Sequence, residues 1–131
     1  MRKVYDFLKE CGVFYIATVE GDQPRVRPFG VVDVFEDKLY IQTGKIKNVS
    51  KQLGANPRLE ISGMAGSDKW IRLEAAAVED DRREAKIHML ETNPVLKKMY
   101  SPDDGNTQVF YLRDAKATIC SFTEAPEVIR F

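Results

Sequence analysis

What most constrains this chain is a succession of short runs rich in β-branched and aromatic residues, each closed by turn chemistry, with no long helical stretch between them. Val13 to Val19 is the first run. Glu20-Gly21-Asp22-Gln23 turns the chain and Pro24 to Phe35 resumes an extended pattern, so the two predict a hairpin. Glu36-Asp37 makes the next tight turn, and in Lys38 to Thr43 the apolar Leu39 and Ile41 alternate with Tyr40 and Gln42. Arg58 to Met64 and Lys69 to Glu79 are joined by the loop Ala65-Gly66-Ser67-Asp68, and Gln108 to Phe122 closes the series.

Helical spacing occurs only at three places. Val4, Phe7, Leu8 and Cys11 form a stripe ahead of Gly12. Val49 and Leu53 mark a short helix over 48–53, with Gly54 as its stop. Ala85, Met89 and Leu90 share one side of a helix capped by Asp80 or Asp81 and interrupted at Asn93-Pro94. Six strands with so little helix predict a mainly β chain, an antiparallel barrel of six strands with short flanking helices, because closure removes the sheet's edges. With no repeat, linker or low-complexity tract, residues 1–131 read as a single domain, and Pro102-Asp103-Asp104-Gly105-Asn106 reads as a surface loop.

Charge excludes several function classes. Twenty Lys and Arg stand against 20 Asp and Glu, so there is no chain-wide basic field to hold nucleic acid. No apolar run approaches the ~20 residues that cross a bilayer. Asp6, Lys9 and Glu10 occupy the segment where a secretory signal needs an apolar stretch, so a cytoplasmic chain without a membrane partner is expected. Cys11 and Cys120 have no metal-ligand spacing, and in a reducing compartment they stay free. His88 is the sole histidine and reads as a surface residue of a charged helix. No metal site is expected, and no catalytic side-chain set is identified.

Two stretches do carry chemistry. From Thr43 to Arg58 there are four basic residues and no acidic one, beside the predicted start of a helix. Unpaired backbone N–H groups and the helix dipole favour an anion there, Gly44 permits close approach, and Thr43, Lys45 and Lys47 add donors. A solvated lysine face is the alternative reading. In Pro24-Arg25-Val26-Arg27-Pro28-Phe29-Gly30 both arginines fall on one face of a strand, and Pro28 and Gly30 leave an irregular backbone against which a flat ring can lie. Even positions, Val26 and Pro28 among them, read as the core face. Antiparallel pairing of this strand with Lys38–Thr43 would bring Arg27 to Thr43.

The order of these motifs resembles the flavin mononucleotide (FMN)-binding split-barrel family of pyridoxamine 5′-phosphate oxidase-like proteins. The matching pieces are Pro24 to Gly30, Leu39-Tyr40-Ile41-Gln42-Thr43, Lys47-Asn48 ahead of Asn56-Pro57-Arg58-Leu59, Trp70-Ile71-Arg72-Leu73-Glu74 and Val109-Phe110-Tyr111-Leu112. The resemblance implies a Greek-key split barrel, a homodimer, and two FMN sites at the subunit interface. Carried over residue by residue, Arg27 is similar to the phosphate-binding arginine, and the backbone of Pro28, Phe29 and Gly30 would face the isoalloxazine. Gln42 and Thr43 match the strand end that contacts flavin, and Lys45, Lys47 and Asn48 fall in the phosphate loop, with either lysine as phosphate ligand. Trp70 matches a position that reaches the ring from the partner.

The chain ends at Phe131 without the oxidase's substrate-binding extension, so the vitamin-oxidising activity itself is not expected. An FMN oxidoreductase is implied, with a small-molecule electron acceptor and a nicotinamide or protein donor. The rival is a non-catalytic flavin- or haem-binding or dimeric interaction module.

Overall fold

The computed structural model describes residues 1–131, and the burial pattern along its strands shows why they form one curved sheet. Strand β5 (Arg58–Ala65) alternates exposed and buried side chains along its whole length, the signature of a strand with one face in a core. In chain order the elements are α1 (Arg2–Cys11), β1 (Phe14–Glu20), β2 (Gln23–Phe29), β3 (Val32–Phe35), β4 (Lys38–Gly44), α2 (Asn48–Ala55), β5, β6 (Lys69–Glu79), α3 (Arg83–Thr92), a 3-10 turn (Pro94–Lys98), β7 (Thr107–Ser121) and β8 (Glu127–Arg130). No helix is long and apolar enough to cross a membrane.

All strand pairings are antiparallel, in the order β2-β1-β5-β6-β7-β4-β3, with β8 on β7. The two ends of that order, β2 and β3, are consecutive in the chain and joined only through Gly30 and Val31. The sheet therefore curls until its ends meet. The barrel is split because β7 changes partner along its length: its first residues pair with β4 and Lys116 to Ile119 pair with β8. A bulge in β6 between Glu74 and Ala76, and the left-handed backbone of Asp114 at φ 52°, bend the two long strands at the changeover.

The core fills the barrel. Val4 and Leu8 of α1 pack with Phe14, Ile16, Leu39, Ile41, Ile61, Ile71 and Leu73, all essentially inaccessible, and Val49 and Leu53 bring α2 onto the same cluster. On the outer side of β4, Tyr40 and Val109 meet Ala85 and Met89 of α3 in a smaller cluster.

The expected split barrel is the observed fold, with eight strands in place of six. The extended stretch 24–35 is two strands, because the chain leaves one sheet edge at Phe29 and enters the other at Val32. β8 is four residues long, too short for its periodicity to show. Gly54 lies inside α2, which runs on to Ala55 with Asn56 as its C-cap. Arg82 holds the N-cap position of α3 without a side-chain cap bond, while Asp80 Oδ1 accepts the Arg82 N–H. In β2 the even residues are not core: Val26 is 68% exposed, and the odd residues Arg27 and Phe29 turn inward, Phe29 stacking on Phe14. Pro24 and Pro28 both sit on this edge strand, opposite Val19 and Tyr15 of β1.

Candidate functional site

β2 and β4 are not ladder neighbours, so the strand pairing expected to join Arg27 to Thr43 does not exist. The two residues nevertheless share a cleft of about 190 Å³ at the seam where the sheet's ends meet. The close approach comes from barrel closure, which sets the β2–β3 crossing against the end of β4 and the start of α2.

Arg27 is anchored from inside. Its Nη1 donates to Ile16 O at 3.0 Å and to Thr18 Oγ1 at 2.8 Å, and its Nη2 donates to Gln52 Oε1. Three of the five guanidinium N–H bonds are thereby used, leaving the Nε–H and one Nη2–H for a ligand. Partial burial pushes this guanidinium's pKa down, and an arginine side chain is not deprotonated in proteins. Gln52 comes from the buried stripe of α2 beside Val49 and Leu53. It also donates to Glu20 Oε2 at 3.4 Å, and Glu20 accepts from Arg25 Nη2 at 2.9 Å.

The cleft brings together Arg27, Pro28, Phe29, Gly30, Gln42, Thr43 and Lys47, seven of the residues singled out from the sequence. Deep in it, neither amide atom of Gln42 has a hydrogen-bond partner, and neither does Thr43 Oγ1, although these residues are only 7% and 4% exposed. Gln108 Oε1, opposite Thr43 in the β4–β7 ladder, is also unpartnered. Each such buried group costs roughly 1–3 kcal/mol when left dry; Gln42 and Thr43 line the cleft and Gln108 does not, its Nε2 donating to Glu79 Oε1 at 3.0 Å. At the mouth, α2 starts without any side-chain cap, which leaves the Asn48 and Val49 N–H groups available to an anion, while Ser50 N–H bonds Lys47 O.

Three of the expected residues stand apart. Lys45 does not line the cleft; its Nζ lies 3.8 Å from Asp81 Oδ1. Asn48 lines an adjoining groove with Glu20, Arg25, Arg27 and Lys47. Trp70 is on the outer face of β6, its ring 5.0 Å from that of Phe122, and it does not line the cleft of its own protomer.

Leu96, Met99 and Tyr100 complete the cleft as an apolar wall that the sequence did not reveal. Their place follows from the 3-10 turn after α3, a tertiary relation with no local signal. Gln52 had one: it is a polar residue on the apolar side of a short helix.

The other buried polar groups belong elsewhere. Tyr40 donates to Asp80 Oδ2 at 2.7 Å, and Arg82 joins Asp80 to Glu36, holding the Asp80 carboxyl down to about 2. Burial and the Asp80 carboxylate push the Tyr40 phenol up. His88 is half-buried rather than a surface residue: its Nε2 lies 3.1 Å from Val34 O and 3.6 Å from Asp33 Oδ2, and Phe35 stacks on the ring at 4.6 Å.

The barrel seam thus combines an anchored arginine, a helix start without a side-chain cap and an unpartnered buried amide. The sequence model of the family described as pyridoxamine 5′-phosphate oxidase matches residues 1–120, and the chain belongs to that family. Among solved structures it is similar to a NimC/NimA family protein from Clostridium acetobutylicum, with 52% identity, a TM-score of 0.98, and 100% of this chain and 92% of that one covered. General Stress Protein 26 from Bacillus anthracis shares the fold at 20% identity and TM-score 0.76, over 99% of this chain and 97% of that one. HutZ, the haem storage protein from Vibrio cholerae, shares it at 16% identity and TM-score 0.65, over 86% and 87%. No curated protein matches.

Proposed function

We propose that this chain binds FMN at the barrel seam and works as an oxidoreductase, passing electrons from a nicotinamide or protein donor to a small acceptor. The observation that carries the reading is the set of unpartnered Gln42 and Thr43 polar atoms, buried in the same cleft as Arg27 and Lys47. The residues suit the group. Gln42 offers an amide donor and an acceptor side by side, the complement of a cyclic imide edge, and Arg27, Lys47 and the start of α2 offer charge-assisted donors to a phosphate. When bound, the flavin supplies the redox chemistry, and the protein's part is to hold it, exclude water and shape access. Pro28 to Gly30 would back the ring, and Leu96, Met99 and Tyr100 would wall the side open to a second molecule.

A homodimer belongs to the same reading. Trp70 lies outside the cleft of its own protomer, so any contact between it and the ring would come from a partner subunit.

Haem storage is the weaker reading for this chain, because its sole histidine is held between Val34 and Asp33 and does not line the cleft. Purified protein tests the proposal. A yellow preparation with flavin absorbance, bleached anaerobically by NADH or NADPH, is the expected outcome. A colourless preparation that takes up no added FMN in calorimetry overturns it.

A further inference from the structure

We propose that Asn106 is a positioning residue for the phosphate end of this site: it clamps the Gly44–Lys47 loop in the shape that presents Lys47 and the start of α2, and Asp104 holds Asn106 in place. This deepens the FMN reading and rests on it.

Asn106 grips the loop twice. Its backbone carbonyl accepts the Lys45 N–H at 2.8 Å, and its side-chain Oδ1 accepts the Ile46 N–H at 3.1 Å. Lys47 N–H closes onto Gly44 O at 3.0 Å and Ser50 N–H onto Lys47 O at 3.1 Å, so the loop's own amides are satisfied and those of Asn48 and Val49 stay free. Gly44 leaves room for this contact: a Cβ there would lie 2.9 Å from Asn106 Nδ2 and 3.1 Å from Oδ1. Asn106 is itself fixed. Asp104 Oδ1 accepts the N–H groups of Asn106 at 2.8 Å and Thr107 at 2.7 Å, and Oδ2 accepts Ser101 N–H and Thr107 Oγ1 at 3.0 Å each. Burial opposes ionisation of the Asp104 carboxyl, but those bonds together outweigh it and hold the group well below the usual carboxylate range. That an anion is the object follows from a separate observation, the buried and unpartnered Thr43 hydroxyl next to Gly44, in the cleft shared by Arg27 and Lys47.

The clamp touches only the phosphate end, so it distinguishes FMN from riboflavin, which lacks the phosphate. Affinities of both are measured by flavin-fluorescence quenching. Wild type should prefer FMN, and Asn106→Ala should lower FMN affinity about tenfold while leaving riboflavin affinity unchanged, the effect of about one misplaced charge-assisted hydrogen bond. Gly44→Ala should do the same by a second route, since its methyl meets only the tip of the Asn106 side chain. The double variant should be no worse than Asn106→Ala alone, because the side chain that the methyl displaces is already gone.

An Asn106→Ala protein with wild-type circular dichroism and an undiminished FMN preference overturns the clamp and leaves the FMN reading standing. Should Asn106→Ala not fold, an undiminished preference in Gly44→Ala overturns it equally. A wild type that binds both flavins alike overturns clamp and phosphate site together.

Discussion

Arg27 has two tasks at once, and their magnitudes separate in experiment. Its bonds to Ile16 O, Thr18 and Gln52 join the β1–β2 hairpin to α2, while two N–H groups remain for a ligand. We expect Arg27→Ala to weaken FMN binding by about 1.5–3 kcal/mol, read by calorimetry, and to lower the melting temperature of the flavin-free protein as well. Arg27→Lys should recover little of either, since an ammonium cannot make the forked contact to Thr18 and Gln52. Asp80 supplies a different prediction. Its carboxyl is held at about 2 against an ordinary 3.8, so the folded state favours the ionised form. That contribution is complete above about pH 4 and is lost as the pH falls from about 4 towards 2. Discounted for the half-exposed Arg82 partner, it amounts to about 1–2 kcal/mol. Urea titrations at pH 7 and about pH 2.5 should show wild type losing more stability on acidification than Asp80→Asn, by roughly two-thirds of that amount.

Among the elements, α2 offers the simplest change. Gly54 lies in its last turn, where an added methyl would have nothing within 4 Å and where φ is not left-handed, so Gly54→Ala should raise stability by about 0.5–1 kcal/mol in denaturant unfolding. β6 was legible to the residue, because a hairpin loop and acidic residues bound it, and α1 was legible from its full apolar stripe and the Gly12 that stops it. The break at Gly30-Val31 was not. Residues 24 to 35 alternate as one strand does, and only the barrel's closure, a relation among distant strands, makes the chain change edges there. The same relation hides the faces of β2: apolar Val26 and Pro28 suggest a core side, but this edge strand's inward side carries Arg27.

For the whole molecule, the site was legible as an order of motifs and illegible as a shape. Arg27, Gln42, Thr43 and Lys47 do converge, though by curling and not by pairing, and the Leu96–Tyr100 wall comes from a segment with no pattern of its own. The outer face of the sheet bears Tyr15, Val26, Met64 and Phe122, each at least half exposed. If a second copy covers it, light scattering after size exclusion should give twice the mass of one chain. Tyr15→Glu combined with Val26→Glu should then halve that mass and release the flavin with it.

The two prolines of β2 also govern what cannot happen to this molecule. Pairing with β1 requires that Pro24 and Pro28 direct their nitrogens away from it, and Val26, of the same parity, does likewise. The free margin of β2 therefore presents one amide hydrogen where an unbroken sequence would present three. A stray extended peptide, or another molecule arriving edge-on at β2, finds too few donors to register against, so that margin is a poor template for fibril growth.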